Sequence, residues 1–252
     1  MNHLKRLVDK DNFNFDELFL KVQVGHVPGA FIDWRVGMLN TPDTITNDLW
    51  ENGGTYNFPS SVVDAYIWST DNGDTQDILI EGMDADWNRI SKMITLTGNT
   101  PVDTGLQWFR ACRLTNTNST DLAGTVYLSR VSGSILTADL LSLISVGNNG
   151  SLQALCTIPA GYTAYMFGGN ISIGKGKDGM FSFRFRPTGQ VFITAEMVGA
   201  YEETVEMSRP YIPLPEKTDV KVTVMTGSIN TMTHASFGLL FLKNSLYKLE
   251  GS

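Results

Sequence analysis

At residues 181–186, Phe181, Phe183 and Phe185 alternate with Ser182, Arg184 and Arg186. Successive side chains of a strand point to opposite faces, so this period of two gathers three rings on one side and three polar groups on the other; a helix would scatter them. Other stretches of the same kind lie at residues 62–68, 78–81, 90–96, 106–114, 125–128, 152–158, 162–167, 190–195, 219–225 and 236–242. Between them stand turn clusters such as Asp71-Asn72-Gly73-Asp74, Gly147-Asn148-Asn149-Gly150 and the glycines from Gly174 to Gly179. Roughly ten short strands with turn residues at these intervals must fold over on themselves to bury their apolar faces. The spacing predicts an all-β chain, a jelly-roll-like antiparallel β-sandwich.

One short helix is expected, starting at Thr137 as its cap, with Asp139 in the first turn and Leu140, Leu141, Leu143 and Ile144 as an apolar stripe. Residues 1–59 lack sustained alternation and carry aromatic rings among Gly25, Pro28, Gly37, Pro42 and Pro59. They read as an extended N-terminal arm, followed by a sandwich over residues 60–246 and a C-terminal tail at 247–252. A free arm so rich in rings would expose about 2–3 kcal/mol of burial per ring, so it must lie against something. Two partners stay open: its own sandwich, which makes Trp34, Trp50, Tyr56 and Phe58 interior residues, or a neighbouring subunit. In the second case Trp34, Arg35, Trp50, Tyr56 and Phe58 are the candidate assembly interface, with Arg35 able to stack or pair across it.

Charge argues against nucleic acid as a partner, because 19 Lys and Arg stand against 26 Asp and Glu, a net charge of -7. No apolar run is long enough to cross a membrane as a helix, and no membrane partner is expected. Cys112 and Cys156 sit in apolar runs and read as buried thiols. Residues 169–175 mimic the spacing of a phosphate-binding loop, but Gly176 stands where magnesium needs a hydroxyl, and a strand follows where a helix is required. Asp84, Asp86 and Asn88 mimic the start of a calcium loop, yet Arg89 occupies its glycine position. His3, His26 and His234 are too scattered for a metal site. No cofactor, metal or catalytic residue is assigned. A carbohydrate-binding or carbohydrate-cleaving sandwich, using Glu196, Glu202, Glu203 or Glu206, is the alternative from another class.

Three segments stand out when read together: ILIEGMDADWNRI at residues 78–90 with ITLTGNTPV at 94–102, TIPAGYTAY at 157–165, and PEKTDV at 215–220 with ASFGLL at 235–240. In this order they resemble a family of structural virion proteins of tailed, especially marine, bacteriophages. The resemblance departs at Arg89, where the family has an acidic residue, and does not extend to the segment before residue 60. It implies a non-enzymatic capsid decoration or cement protein, often a homotrimer, bound to the major capsid protein or another virion protein. Such a protein is made in the host cytoplasm and located on the virion, most naturally at the capsid surface. A tail, fibre or host-adsorption component is the alternative within the same class.

Overall fold

The alternation at residues 181–186 is part of strand β12 (Asp178–Pro187) in the computed structural model, which describes residues 15–201, 204–207 and 212–246. Phe181 and Phe183 are fully buried on one face, while Ser182 opposite them is partly open. Every ladder among the described residues is antiparallel. The all-β, antiparallel sandwich class expected from the sequence is the one the chain adopts.

Two pairs of sheets carry the strands. In the first pair, one sheet runs β1 (Ala30–Thr41), β17 (Thr231–Lys243), β11 (Tyr162–Ile173) and β14 (Thr204–Met207), with β15 (Ile212–Leu214) also on β11. Its companion runs β10 (Leu155–Thr157), β16 (Thr218–Thr226), β12 and β13 (Ile193–Tyr201), with β2 (Asn47–Asp48) on β16. Phe237, Leu239 and Phe241 of one sheet meet Phe181, Phe183, Val222 and Val224 of the other in a shared core. The second pair is built from residues between β2 and β10. One sheet orders β6 (Val102–Trp108), β3 (Val63–Ser69), β8 (Val126–Ser129) and β9 (Leu140–Ile144); the other orders β5 (Arg89–Thr95), β4 (Asp77–Met83) and β7 (Arg110–Asn116). Ile67, Ile80, Trp108, Leu114 and Leu128 form its separate core.

The second sandwich is therefore an insertion into the first, which corrects the expected division into an arm and one sandwich over residues 60–246. The described part of residues 1–59 is not an arm: β1 pairs with β17 along its whole length, from Ala30 opposite Leu242 to Thr41 opposite Thr231. Gly37 in β1 lets the backbone at Leu49 and Ala154 pack against the strand, since a Cβ there would come within 2.5 Å of the Leu49 carbonyl oxygen and the Ala154 amide. The tail at 247–252 lies outside the described residues.

The helix expected from Thr137 is also corrected. Leu140–Ile144 is strand β9, buried at every position, and five residues with Leu or Ile everywhere but Ser142 have no period that separates helix from central strand. Thr137 accepts a hydrogen bond from Asn52 Nδ2 (2.8 Å) instead of capping a helix. Helix α1 (Phe15–Gln23) lies elsewhere and places Leu18 and Val22 over Leu240 and Leu242. β17 is thus buried on both faces from Ala235 to Leu242, which explains the nearly continuous apolar sequence from Phe237 to Leu242.

Candidate functional site at the junction of the two sandwiches

Segment 49–59 carries the chain from one sandwich to the other, and its aromatic residues fill the seam. Trp50 and Tyr56 cluster with Leu140 and Leu143 of the insertion and Leu155 of the first sandwich, with Phe58 packed alongside. The rings meet edge to face, Trp50 on Tyr56 at 5.0 Å and Tyr56 on Phe58 at 4.8 Å, and the Tyr56 hydroxyl donates to the Leu141 carbonyl at 2.9 Å. Of the five residues expected at an assembly interface, Trp50 and Tyr56 are interior, Phe58 is half-buried and Arg35 is buried. Trp34 alone among them is largely open, 46% exposed, resting edge-on against Phe167. The rings lie against this chain itself: Trp50, Tyr56 and Phe58 in the seam between the two sandwiches, Trp34 on the first.

A buried ion cluster crosses the same seam. Arg110, at the start of β7, donates from Nε and Nη2 to the two oxygens of Asp219 on β16, at 2.9 and 3.0 Å. Its guanidinium is walled by Phe109, Trp87 and Phe58 at 4.2, 5.1 and 5.4 Å from the ring centres. Asp219 also accepts from Thr157 Oγ1 (2.7 Å) and Arg186 Nη2 (2.6 Å). Gly82 lets β4 approach this corner, because a Cβ there would fall 2.1 Å from the Arg110 carbonyl oxygen. Trp87 is held at a φ of 65°, a left-handed conformation that a bulky residue adopts only under outside constraint. The constraints are its packing on Phe109 and the bond from the Ala160 amide to its carbonyl. Nearby, Lys221 pairs with Asp48 at 2.6 Å, both nearly inaccessible; burial raises the Asp48 pKa despite that cation.

Glu51 fastens the insertion from the other side, accepting from Asn148 Nδ2 (2.9 Å) and from the Ser145 and Leu152 amides (3.3 and 3.0 Å). Burial pushes its pKa above the ordinary value, outweighing those bonds. The folded state then holds the Glu51 proton more tightly than the unfolded chain. Its contribution is complete below about pH 4.3 and declines as pH rises through the raised folded value. Urea titrations across that window should show wild type losing stability relative to Glu51→Gln as pH rises. Parallel curves for the two proteins would assign the carboxylate no linked proton.

Beside the seam, β1 and β17 of the first sandwich and β4, β5 and β7 of the insertion enclose a cleft of about 380 Å³. Its wall holds Asp33, Arg35, Glu81, Arg89 and Arg113. Asp33 bridges Arg35 and Arg113, the latter at 2.7 Å. Burial works to raise the Asp33 pKa, but the two guanidinium groups overcome it and hold the carboxyl below its ordinary value. Glu81 stands between Arg89 and Arg113 at 3.8 and 3.9 Å, and Arg89 lies over the Phe31 ring at 4.4 Å.

A different surface lies on the outer face of the β12 sheet. Met180 is paired with Met225 and Gly199, and Ser182 with Met197, so the three methionines share one face; they are open, as is Tyr201. β13 ends this sheet, and Glu196 is its lone charged residue.

The sequence motifs set aside as non-catalytic find structural uses. Residues 169–175 run from β11 into a turn, with Gly176 at a φ of 72°. Asp84 accepts from the Asp86 and Asn88 amides, both at 2.9 Å, and so spends a carboxylate oxygen on its own turn. Cys112 and Cys156 are buried free thiols. Among the described residues no group of His, Cys, Asp or Glu is placed to hold a metal ion, and no helix is long and apolar enough to cross a membrane. Glu196 lies on β13; Glu202, Glu203 and His3 fall outside the described residues.

No protein-family model matches the chain, and no curated protein does. Among solved structures it is similar to the VP2 subviral particle of infectious bursal disease virus, at 8% identity over 92% of this chain and 79% of that one, with a TM-score of 0.24. The Gx strain structure of the same virus aligns at 8% identity over 85% and 72%, with a TM-score of 0.26. Scores this low do not define a common fold, so the functional reading rests on the chain's own residues.

Proposed function

We propose that this chain is a non-enzymatic structural protein of a phage virion, and within that class a capsid decoration or cement protein bound to the major capsid protein on the head exterior. The observation that carries this reading is the outer face of the β12 sheet. Open methionines at 180, 197 and 225 lie beside an end strand with Ile193, Met197 and Tyr201 exposed and a single acidic side chain. An apolar end strand of this length invites pairing with another chain, and a shell component is a setting in which such an edge is covered. Methionine adapts its shape to a partner surface, as attachment to a capsid requires. The seam adds support, since its buried ion cluster joins the two sandwiches, as a shell component under load requires. Homotrimeric assembly would be a closed ring of heterologous contacts, each joining two different surfaces of neighbouring copies and leaving the β13 edge for the capsid.

Imaging of purified particles carrying a labelled copy tests the reading. Label spread over the head is expected. Label confined to one vertex or to the tail would overturn the decoration role in favour of a tail, fibre or adsorption component, and label absent from particles would overturn the virion role.

A further inference from the structure

We infer that the cleft between β1 and the β4–β5–β7 sheet is a binding site for a small organic oxyanion, a carboxylate or phosphate on a compact body of about monosaccharide size. The inference does not rest on the virion reading. Its volume of about 380 Å³ lies in the range of small-molecule sites. Three guanidinium groups, Arg35, Arg89 and Arg113, face two carboxylates, Asp33 and Glu81, so the wall carries an excess of one positive charge.

The two carboxylates are engaged unequally. Asp33 is hydrogen-bonded to both Arg35 and Arg113 and belongs to the wall. Glu81 stands 3.8 Å from Arg89 and 3.9 Å from Arg113, well beyond the ~2.7–2.9 Å of a charge-assisted hydrogen bond. Arg89 therefore keeps its planar donor fork unspent, while Phe31, stacked at 4.4 Å on Phe241, supports the guanidinium from beneath. A ligand oxyanion entering here gains the bidentate contact that Glu81 does not make.

Arg35, nine-tenths buried in the wall, spends its Nη atoms on Cys112 and Asp33, and its unpartnered Nε is closed off from solvent, so it lends the cleft positive charge and leaves the direct contact to Arg89. Glu81 occupies the position of a competitor within the site, and removing its charge strengthens binding.

Calorimetric titration of the full chain with sodium glucuronate, inorganic phosphate and glucose, at constant ionic strength, tests this. Saturable 1:1 binding is expected for glucuronate or phosphate and not for glucose, and the arm that binds identifies the oxyanion. Arg89→Ala should weaken it at least about tenfold, equivalent to ~1.4 kcal/mol, and Glu81→Gln should tighten it severalfold. Arg130→Ala, whose side chain pairs with Asp139 on the insertion, should leave it unchanged. Arg89 is largely exposed, so its replacement leaves the core intact, and an unchanged melting temperature confirms this. Binding undiminished in Arg89→Ala, weakened equally by Arg130→Ala, or absent for both anions below about 10 mM would overturn the site.

Discussion

A chain beginning at residue 60 is expected to yield no soluble, cooperatively folded protein. β1 is hydrogen-bonded to β17 from Ala30 to Thr41, and its loss would bare the apolar edge of the first sandwich. Leu39 and Leu49 leave the main core with it, and Trp50 and Tyr56 leave the seam. Truncating a single buried Leu or Trp to Ala costs about 2–5 kcal/mol, so three such losses approach the whole ~5–15 kcal/mol by which a folded protein is stable. Expression and thermal melting of residues 60–252 against the full chain measure this. A soluble truncated protein with a single sharp transition near that of the full chain would show that β1 is peripheral and restore the extended-arm description.

That segment misleads in sequence because β1 is inside out. Its buried positions include Arg35 and Gly37, while the neighbouring Trp34 and Val36 face outward. Alternation identifies a strand when apolar groups mark the buried face. Here the face against the insertion holds Asp33 and Arg35 in an ion network, and the apolar signal falls out of phase with burial. Where burial is purely apolar, as in β12 and β4, residues and faces are legible directly. β9 fails for another reason: a strand buried at every position has no period, and Leu140–Ile144 satisfies helical spacing equally well.

The site was legible only in part. The need of Trp50, Tyr56 and Phe58 for a covering surface follows from their size, but whether that surface belongs to the same chain depends on a fold in which residues 63–144 form a sandwich of their own. Arg110 and Asp219 are separated by 109 positions, and no local spacing connects them. A faint signal exists on neighbouring strands. Asp219 and Lys221 alternate with Val220 and Val222, and their ladder partners are Arg186 and Arg184. A row of charged groups, Asp219 opposite Arg186 and Lys221 opposite Arg184, reads as a solvated surface, and here β2 and the seam cover part of it: Asp219 and Lys221 are buried, Lys221 against Asp48.

Removing that buried carboxylate is expected to be among the most damaging single changes in the molecule. Asp219→Ala should cost about 3–5 kcal/mol, the range for breaking a buried ion pair from one side. The Arg110 side chain is 5% exposed and would keep its charge with no counterion, and Thr157 and Arg186 would lose an acceptor as well. Urea denaturation compares this with Glu17→Ala, which breaks a helix-surface pair whose side chains are half-exposed and should cost no more than about 0.5 kcal/mol. The distinctive outcome is non-additivity: placing Asp219→Ala in an Arg110→Met background should cost less than in wild type, because the stranded charge is gone. Equal costs in the two backgrounds would mean that water solvates Arg110 and that the pair does not hold the seam. The pair joins the sandwiches, so its loss should also weaken their coupling. Wild type should unfold in a single transition, and Asp219→Ala in two, with the inserted sandwich melting apart from the one that carries β1 and β17.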